Sequence, residues 1–175
     1  MYPNDLYGYL NKEMVSYHPM HHPLAVEAQH LAAAVGVSGR KVAKAVFVMV
    51  ADQPVVCILP ANRRLDFNQL SAVLDEPDVR LMTESEFEPL FPDCERGAIP
   101  PIGALLQIPM VVDSSLAAND DIVLRAGTHE DCVQMSYADF ERLSQPILVD
   151  DISILPSNIP SIRSETETDW PPLWS

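Results

Sequence analysis

The sequence predicts a mixed α/β (α+β) fold: a single domain in which a mixed, largely antiparallel sheet is flanked by helices. Two apolar runs of strand length, AVFVMVA (45–51) and PVVCILP (54–60), are joined only by the tight Asp52-Gln53 link and read as a buried strand pair. Shorter strand-like runs return at 79–82, 110–113, 121–127 and 131–136, and capped helical segments separate them. A length of 175 residues favours one domain, and a hydrophobic content of 47% is enough to fill its core.

From the N-terminus, residues 4–16 read as a short helix opened by Asn4 or Asp5. SYHPMHHP (16–23) reads as a turn, because Pro19 and Pro23 interrupt regular structure. Residues 24–35 are rich in Ala, Leu, Glu and Gln, and Gly36 stands where a helix C-cap belongs. A basic connector, VSGRKVA (37–43), leads into the strand pair. Residues 65–74 carry apolar side chains at 65, 67, 70, 73 and 74, with Asp66 three residues before Gln69 as a capping signal. Thr83 and Glu86 open a helix ending near Phe91-Pro92, ERGAIPPIGALLQIP (95–109) reads as a loop, and Ser136 caps a helix over 137–143. The domain is therefore placed at 1–148. Residues 149–175 read as an acidic, Pro-rich tail carrying both tryptophans, Trp170 and Trp174, whose rings are expected to dock on this chain or a partner.

Eleven Lys and Arg stand against twenty-five Asp and Glu, a net charge of −14, which excludes an indiscriminate nucleic-acid binder. The charge is segregated. Residues 30–64 hold Arg40, Lys41, Lys44, Arg63 and Arg64 against Asp52 alone, a local +4. Antiparallel pairing puts the start of one strand beside the end of the next, so these basic clusters should meet in space. No apolar run approaches the roughly 18 residues of a membrane span, and the N-terminus lacks the basic and apolar regions of a signal peptide. Cys57, Cys94 and Cys132 form no close pair and read as small buried thiols in a reducing cytoplasm. His18, His21 and His22 lack the spacing and partners of a metal site, so no metal is expected.

Five segments carry a family resemblance: HPLAVEAQHLA (22–32), Lys44 within GRKVAKAVFVMV, GAIPPIG (97–103), PMVVDSSL (109–116) and AGTHEDCVQMSYADFERL (126–143). Their order and spacing resemble the YbaK/ProX-like aminoacyl-tRNA editing family over about residues 22–146. The resemblance implies a mixed sheet flanked by helices, a pocket for an aminoacyl group, no metal or organic cofactor, and hydrolysis of mischarged tRNA. Lys44 matches the family's active-site lysine. Gly97, Pro101 and Gly103 match the loop that lines the pocket, with Ala98 and Ile102 inside it. Asp113 matches a strand-end Asp, and His129 the His of a Gly-Thr/Ser-His turn. The chain departs from the family at Val26 and Glu27, where an aromatic residue and Thr are common, and at Ile102, where Phe is common. These positions would shape the amino-acid pocket.

The residue chemistry is compatible with that activity. An activated ester needs only a placed water and stabilisation of the developing oxyanion, so no covalent nucleophile is required. Lys44 can hold a phosphate or polarise the ester carbonyl as a compact charge, and His129 can orient water or act as base. Arg40 and Lys41 extend the expected substrate-binding set. The expected partner is the acceptor end of aminoacyl-tRNA in the cytoplasm, with a synthetase or another protein engaged through the tail. The alternative is a catalytically idle binding or regulatory module on the same fold.

Overall fold

The computed structural model describes residues 6–91, 95 and 98–156. Asn4 and Asp5, Cys94, Gly97 and the tail tryptophans lie outside the described residues.

Helix α1 (Leu6–Lys12) buries Leu6 and Leu10 and leads into strand β1 (Tyr17–His21). This strand replaces the turn expected over 16–23. It pairs with one neighbour only, placing Pro19 opposite Val133 in an edge strand, where a residue without an N–H is tolerated. Helix α2 (Ala28–Val35) ends at Gly36, whose φ of 72° gives the left-handed cap that glycine adopts without strain. It begins four residues later than the composition suggests. The preceding segment is irregular and tied down by its backbone, with the His22 N–H donating to the Glu130 carbonyl at 2.9 Å and the Ala25 N–H to the His129 carbonyl at 3.0 Å.

After a 3₁₀ turn at Gly39–Lys41, strands β2 (Ala43–Val50) and β3 (Gln53–Pro60) pair antiparallel along their full length. Strand β4 (Arg64–Leu65) follows, then α3 (Phe67–Leu74), whose cap Asp66 accepts the N–H groups of Asn68 and Gln69. Strand β5 (Val79–Leu81) precedes α4 (Glu84–Phe87), which opens with the Thr83–Glu86 capping box. The 95–109 segment is not all loop, since Gly103–Leu106 forms the one-turn helix α5. Strand β6 (Met110–Asp113) runs into α6 (Ser114–Ala117). Strands β7 (Asp121–Arg125) and β8 (Asp131–Ser136) form a hairpin, and α7 (Tyr137–Ser144) starts at the Ser136 cap.

The sequence from 148 onward does not leave the domain at once. Strand β9 (Leu148–Asp150) lies parallel to β6, and β10 (Ser153–Ile154) pairs antiparallel with β4. The expected boundary at 148/149 therefore falls inside the sheet. The main sheet has the order β5-β2-β3-β6-β9, antiparallel on one side and parallel on the other. The second sheet, β1-β8-β7, meets it at a parallel bridge between Val42 and Val123. Over this junction Ala28, Leu31 and Ala32 of α2 pack on Val42, Val123 and Cys132 as a small second core. The small alanines let the helix approach both sheets closely.

Asp113 closes this end of the structure. Its side chain is 0% exposed, and its carboxylate accepts from the Ser115 N–H at 3.1 Å, the Ser115 hydroxyl and the Ile152 N–H at 2.9 Å. Arg63 stands 3.9 Å away and donates from Nε to the Ser153 hydroxyl and from its terminal nitrogen to the Ser153 carbonyl. The other tight fit is at Gly103, where a Cβ would run into the Ser144 backbone at the end of α7.

Two outcomes follow in a denaturant titration. Asp113→Ala should cost about 2–4 kcal/mol, because it leaves the buried Ile152 N–H without a partner and removes the α6 cap. Asp113→Asn, which keeps an acceptor, should cost less. Gly103→Ala should cost about 1–3 kcal/mol through overpacking, whereas Ser144→Ala, which removes a single hydrogen bond, should cost about 1 kcal/mol.

Candidate active site

Lys44 is the second residue of β2, opposite Leu59 of β3. A central strand covered on both faces leaves its ammonium little water, and the side chain is only 9% exposed. Burial, reinforced by the nearby Arg64 cation, pulls its pKa from 10.5 down to about 8. A cation placed this way is held in a medium where its field is weakly screened.

The turn after β7 gathers three separate segments. Gly127 takes a φ of 98°, which lets the chain reverse tightly. Its N–H donates to the Ala98 carbonyl at 2.9 Å, its carbonyl accepts the Glu95 N–H at 3.0 Å, and the Glu95 carboxylate accepts the His129 N–H at 2.8 Å. The His129 carbonyl accepts the Ala25 N–H. Within the turn the Thr128 hydroxyl donates to Asp131 at 2.6 Å, and His21 Nδ1 lies 3.0 Å from the same carboxylate. These contacts hold Asp131 below the usual carboxylate range and raise the His21 pKa. The half-buried His129, the 95–98 stretch and the segment carrying Val26 are thus laced together.

Arg125, which no motif marks, completes this lacing. It is 4% exposed at the end of β7 and donates to the backbone carbonyls of Ala25 and Val26, the latter at 2.7 Å. Burial lowers its pKa to about 10, so it stays charged at neutral pH. An arginine closing an otherwise apolar strand, DIVLRAG, was the available signal: a charge there needs internal acceptors.

Other expected site residues are placed differently. Ala98 and Ile102 are 0% exposed and Pro101 is buried, and Ile102 belongs to the main core. Ile102 therefore fills the interior, and the side chains of this stretch pack inward. Gly103 is small because the Ser144 backbone abuts it, and its N–H is already committed, donating to Ser144 Oγ at 3.1 Å. Asp113 is buried and committed to its internal hydrogen bonds, through which it positions neighbouring elements.

Arg40 and Lys41 line a cavity of about 570 Å³ together with Asn62, Arg63, Asp120 and Asp121. The two basic clusters do meet there, since Arg63 joins Arg40 and Lys41 on one rim. Lys44, His129, Val26 and the 98–103 loop do not line it. Among the described residues no group of three or more His, Cys, Asp or Glu is placed to hold a metal ion, and no helix is long and apolar enough to cross a membrane. Cys57 and Cys132 are buried and free, their thiols pushed up by desolvation, Cys132 to about 11.

Comparison with known proteins gives this arrangement a context. The Multifunctional Ser/Thr-tRNA deacylase ProXp-y of Escherichia coli K12 is 32% identical over 99 residues, 56% of this chain and 59% of that protein, and its counterpart in Escherichia coli O157:H7 matches equally. The match thus spans about six-tenths of these curated relatives. Among solved structures, hypothetical protein APE2540 superposes with a TM-score of 0.73 at 20% identity, covering 86% of this chain and 99% of that one. A candidate trans-editing enzyme for prolyl-tRNA synthetase gives 0.73 at 18% identity, covering 87% and 96%. These two likenesses show a shared fold. The family model for the aminoacyl-tRNA editing domain matches residues 22–143, well over half the chain, and by that match the protein belongs to the aminoacyl-tRNA editing domain family.

Proposed function

We propose that the protein is a trans-editing aminoacyl-tRNA deacylase of the cytoplasm, hydrolysing the ester between a misattached amino acid and the terminal ribose. The observation that carries this reading is Lys44, a nearly buried ammonium at the start of the central strand pair of an editing-family fold. In the proposed reaction water adds to the ester carbonyl carbon. Lys44 stabilises the negative charge that develops on the carbonyl oxygen, and the ribose oxygen leaves with a proton. His129, fixed at both its N–H and its carbonyl, is assigned to orient or deprotonate the water. Val26, held by Arg125, forms one wall for the amino-acid side chain, and the 98–103 backbone forms another.

A second reading, a non-catalytic module on the same fold, draws on the complete burial of Ala98 and Ile102, which leaves the loop without side chains for a ligand. In that case the tail beyond residue 156 would carry partner binding. A panel of mischarged tRNAs separates the two. The deacylase reading expects hydrolysis of at least one member by wild type and a drop of about 100-fold or more in Lys44→Ala, the scale of losing one charge stabiliser in the transition state. An inert wild type, or full activity in Lys44→Ala, overturns it.

The lysine also sets a pH dependence. Its ammonium form does the work and is lost above about pH 8, so the enzymatic rate, after subtraction of spontaneous hydrolysis, should fall as pH rises past 8. Stability moves the other way. Between pH 8 and 10.5 the unfolded chain retains the Lys44 proton and the folded one has released it, so folding strengthens as pH rises through that window. The burial cost at neutral pH is about 3 kcal/mol. Lys44→Met should therefore raise the denaturation midpoint while abolishing activity.

A further inference from the structure

The cavity of about 570 Å³ at Arg40 and Lys41 lies apart from the proposed chemistry, yet it is built from the same basic stretch of sequence. Its volume is in the range of small-ligand sites. Its charges are unusual. Among the described residues neither the Arg40 nor the Lys41 side chain makes an ion pair or hydrogen bond, and the Asp120 and Asp121 carboxylates, which line the same space, make none either. Cations and carboxylates that could have paired are held apart around one cavity. Asn62 Oδ1, on the same lining, is buried without a hydrogen-bond partner. Arg63 differs, because its guanidinium is committed to Ser153 and fixes that rim.

This lining does not suit a bare polyanion, since phosphates beside Asp120 and Asp121 would be repelled. It suits a ligand with an anion at one end and hydrogen-bond donors at the other. We propose that the cavity binds one nucleotide of the acceptor strand, with its phosphate on Arg40 and Lys41 and the amino group of cytosine or adenine directed to Asp120, Asp121 and Asn62. Carboxylates accept well from an exocyclic amine and repel the O4 carbonyl of uracil. The inference rests on the deacylase reading for the identity of the polynucleotide. It would give an acidic protein a local hold on RNA, with few phosphate contacts and a shallow salt dependence.

The test is an NMR amide titration of the full chain at low salt with 5′-CMP, 5′-UMP and inorganic phosphate. The expected result is that CMP shifts residues 38–42 and 118–121 and binds at least fivefold more tightly than UMP or phosphate. Arg40→Ala/Lys41→Ala should weaken CMP binding at least fivefold. Asp120→Asn/Asp121→Asn should erase the CMP preference while strengthening phosphate binding, a reversal that simple unfolding cannot produce. Equal binding of all three probes, or CMP shifts confined to other residues, overturns the inference. The tRNA panel separates the two claims: CMP binding in the cavity without any deacylation removes the enzyme reading alone, and deacylation without CMP binding in the cavity removes this inference alone.

Discussion

The buried carboxylate of Asp113 is the constraint on which this end of the protein depends. An ionised group removed from water costs several kcal/mol unless its lone pairs are met, and here two come from Ser115, one from the Ile152 backbone, and a guanidinium stands 3.9 Å away. Asp113 ends β6, so its bond to Ile152 fixes where the chain turns between β9 and β10. Strand β10 in turn pairs with β4, placing Ile154 opposite Arg64. Arg64 is the cation that helps depress Lys44. A residue with no exposure thus acts on the proposed catalytic lysine through four successive backbone and side-chain placements.

Lys44 is a local cost that this scaffold carries. Keeping an ammonium nearly buried beside a second cation opposes folding, and nothing in the packing of a β-strand requires it there. A methionine of similar length would fit a central strand better. The surrounding order, from the capped helices to the Asp113 network, is what offsets that local cost. The chain's −14 charge has a related meaning. Most acids lie outside the +4 stretch of residues 30–64, so the basic groups form a confined positive region on an otherwise acidic molecule.

Where local chemistry dominates, the sequence was readable. The paired strands, the Asp66 and Ser136 caps, the Thr83–Glu86 box and the Gly36 terminus all depend on residues within a few positions of one another. Long-range pairing hid the rest. Pro19 argued for a turn because nothing local reveals that β1 is an edge strand. Residues 24–27 have helical composition, yet Arg125, about a hundred residues away, claims the Ala25 and Val26 carbonyls, and the helix starts only at Ala28. The 148–154 segment looks like a tail until β6 and β4 supply partners. Among the candidate site residues, Lys44 and His129 are marked by the family resemblance. Arg125 has no motif, only the physical oddity of a charge in an apolar strand.

In the proposed deacylase, selectivity for the amino acid would be limited by the same packing. Gly103 is pressed against the Ser144 backbone, and Ala98, Ile99 and Ile102 are sealed in the core. A loop so anchored cannot move outward to admit a larger side chain without breaking into the interior. Under that proposal size selection would fall to Val26, which is held through its backbone carbonyl, so that its side chain can vary without disturbing the Arg125 tether. One methylene in such a pocket discriminates by only about 1–3 kcal/mol. A deacylase of this design can reject a cognate amino acid by size alone only within that limit. Under the proposed function further discrimination would come from the RNA, which would give the separate charged cavity at Arg40 and Lys41 its physical rationale.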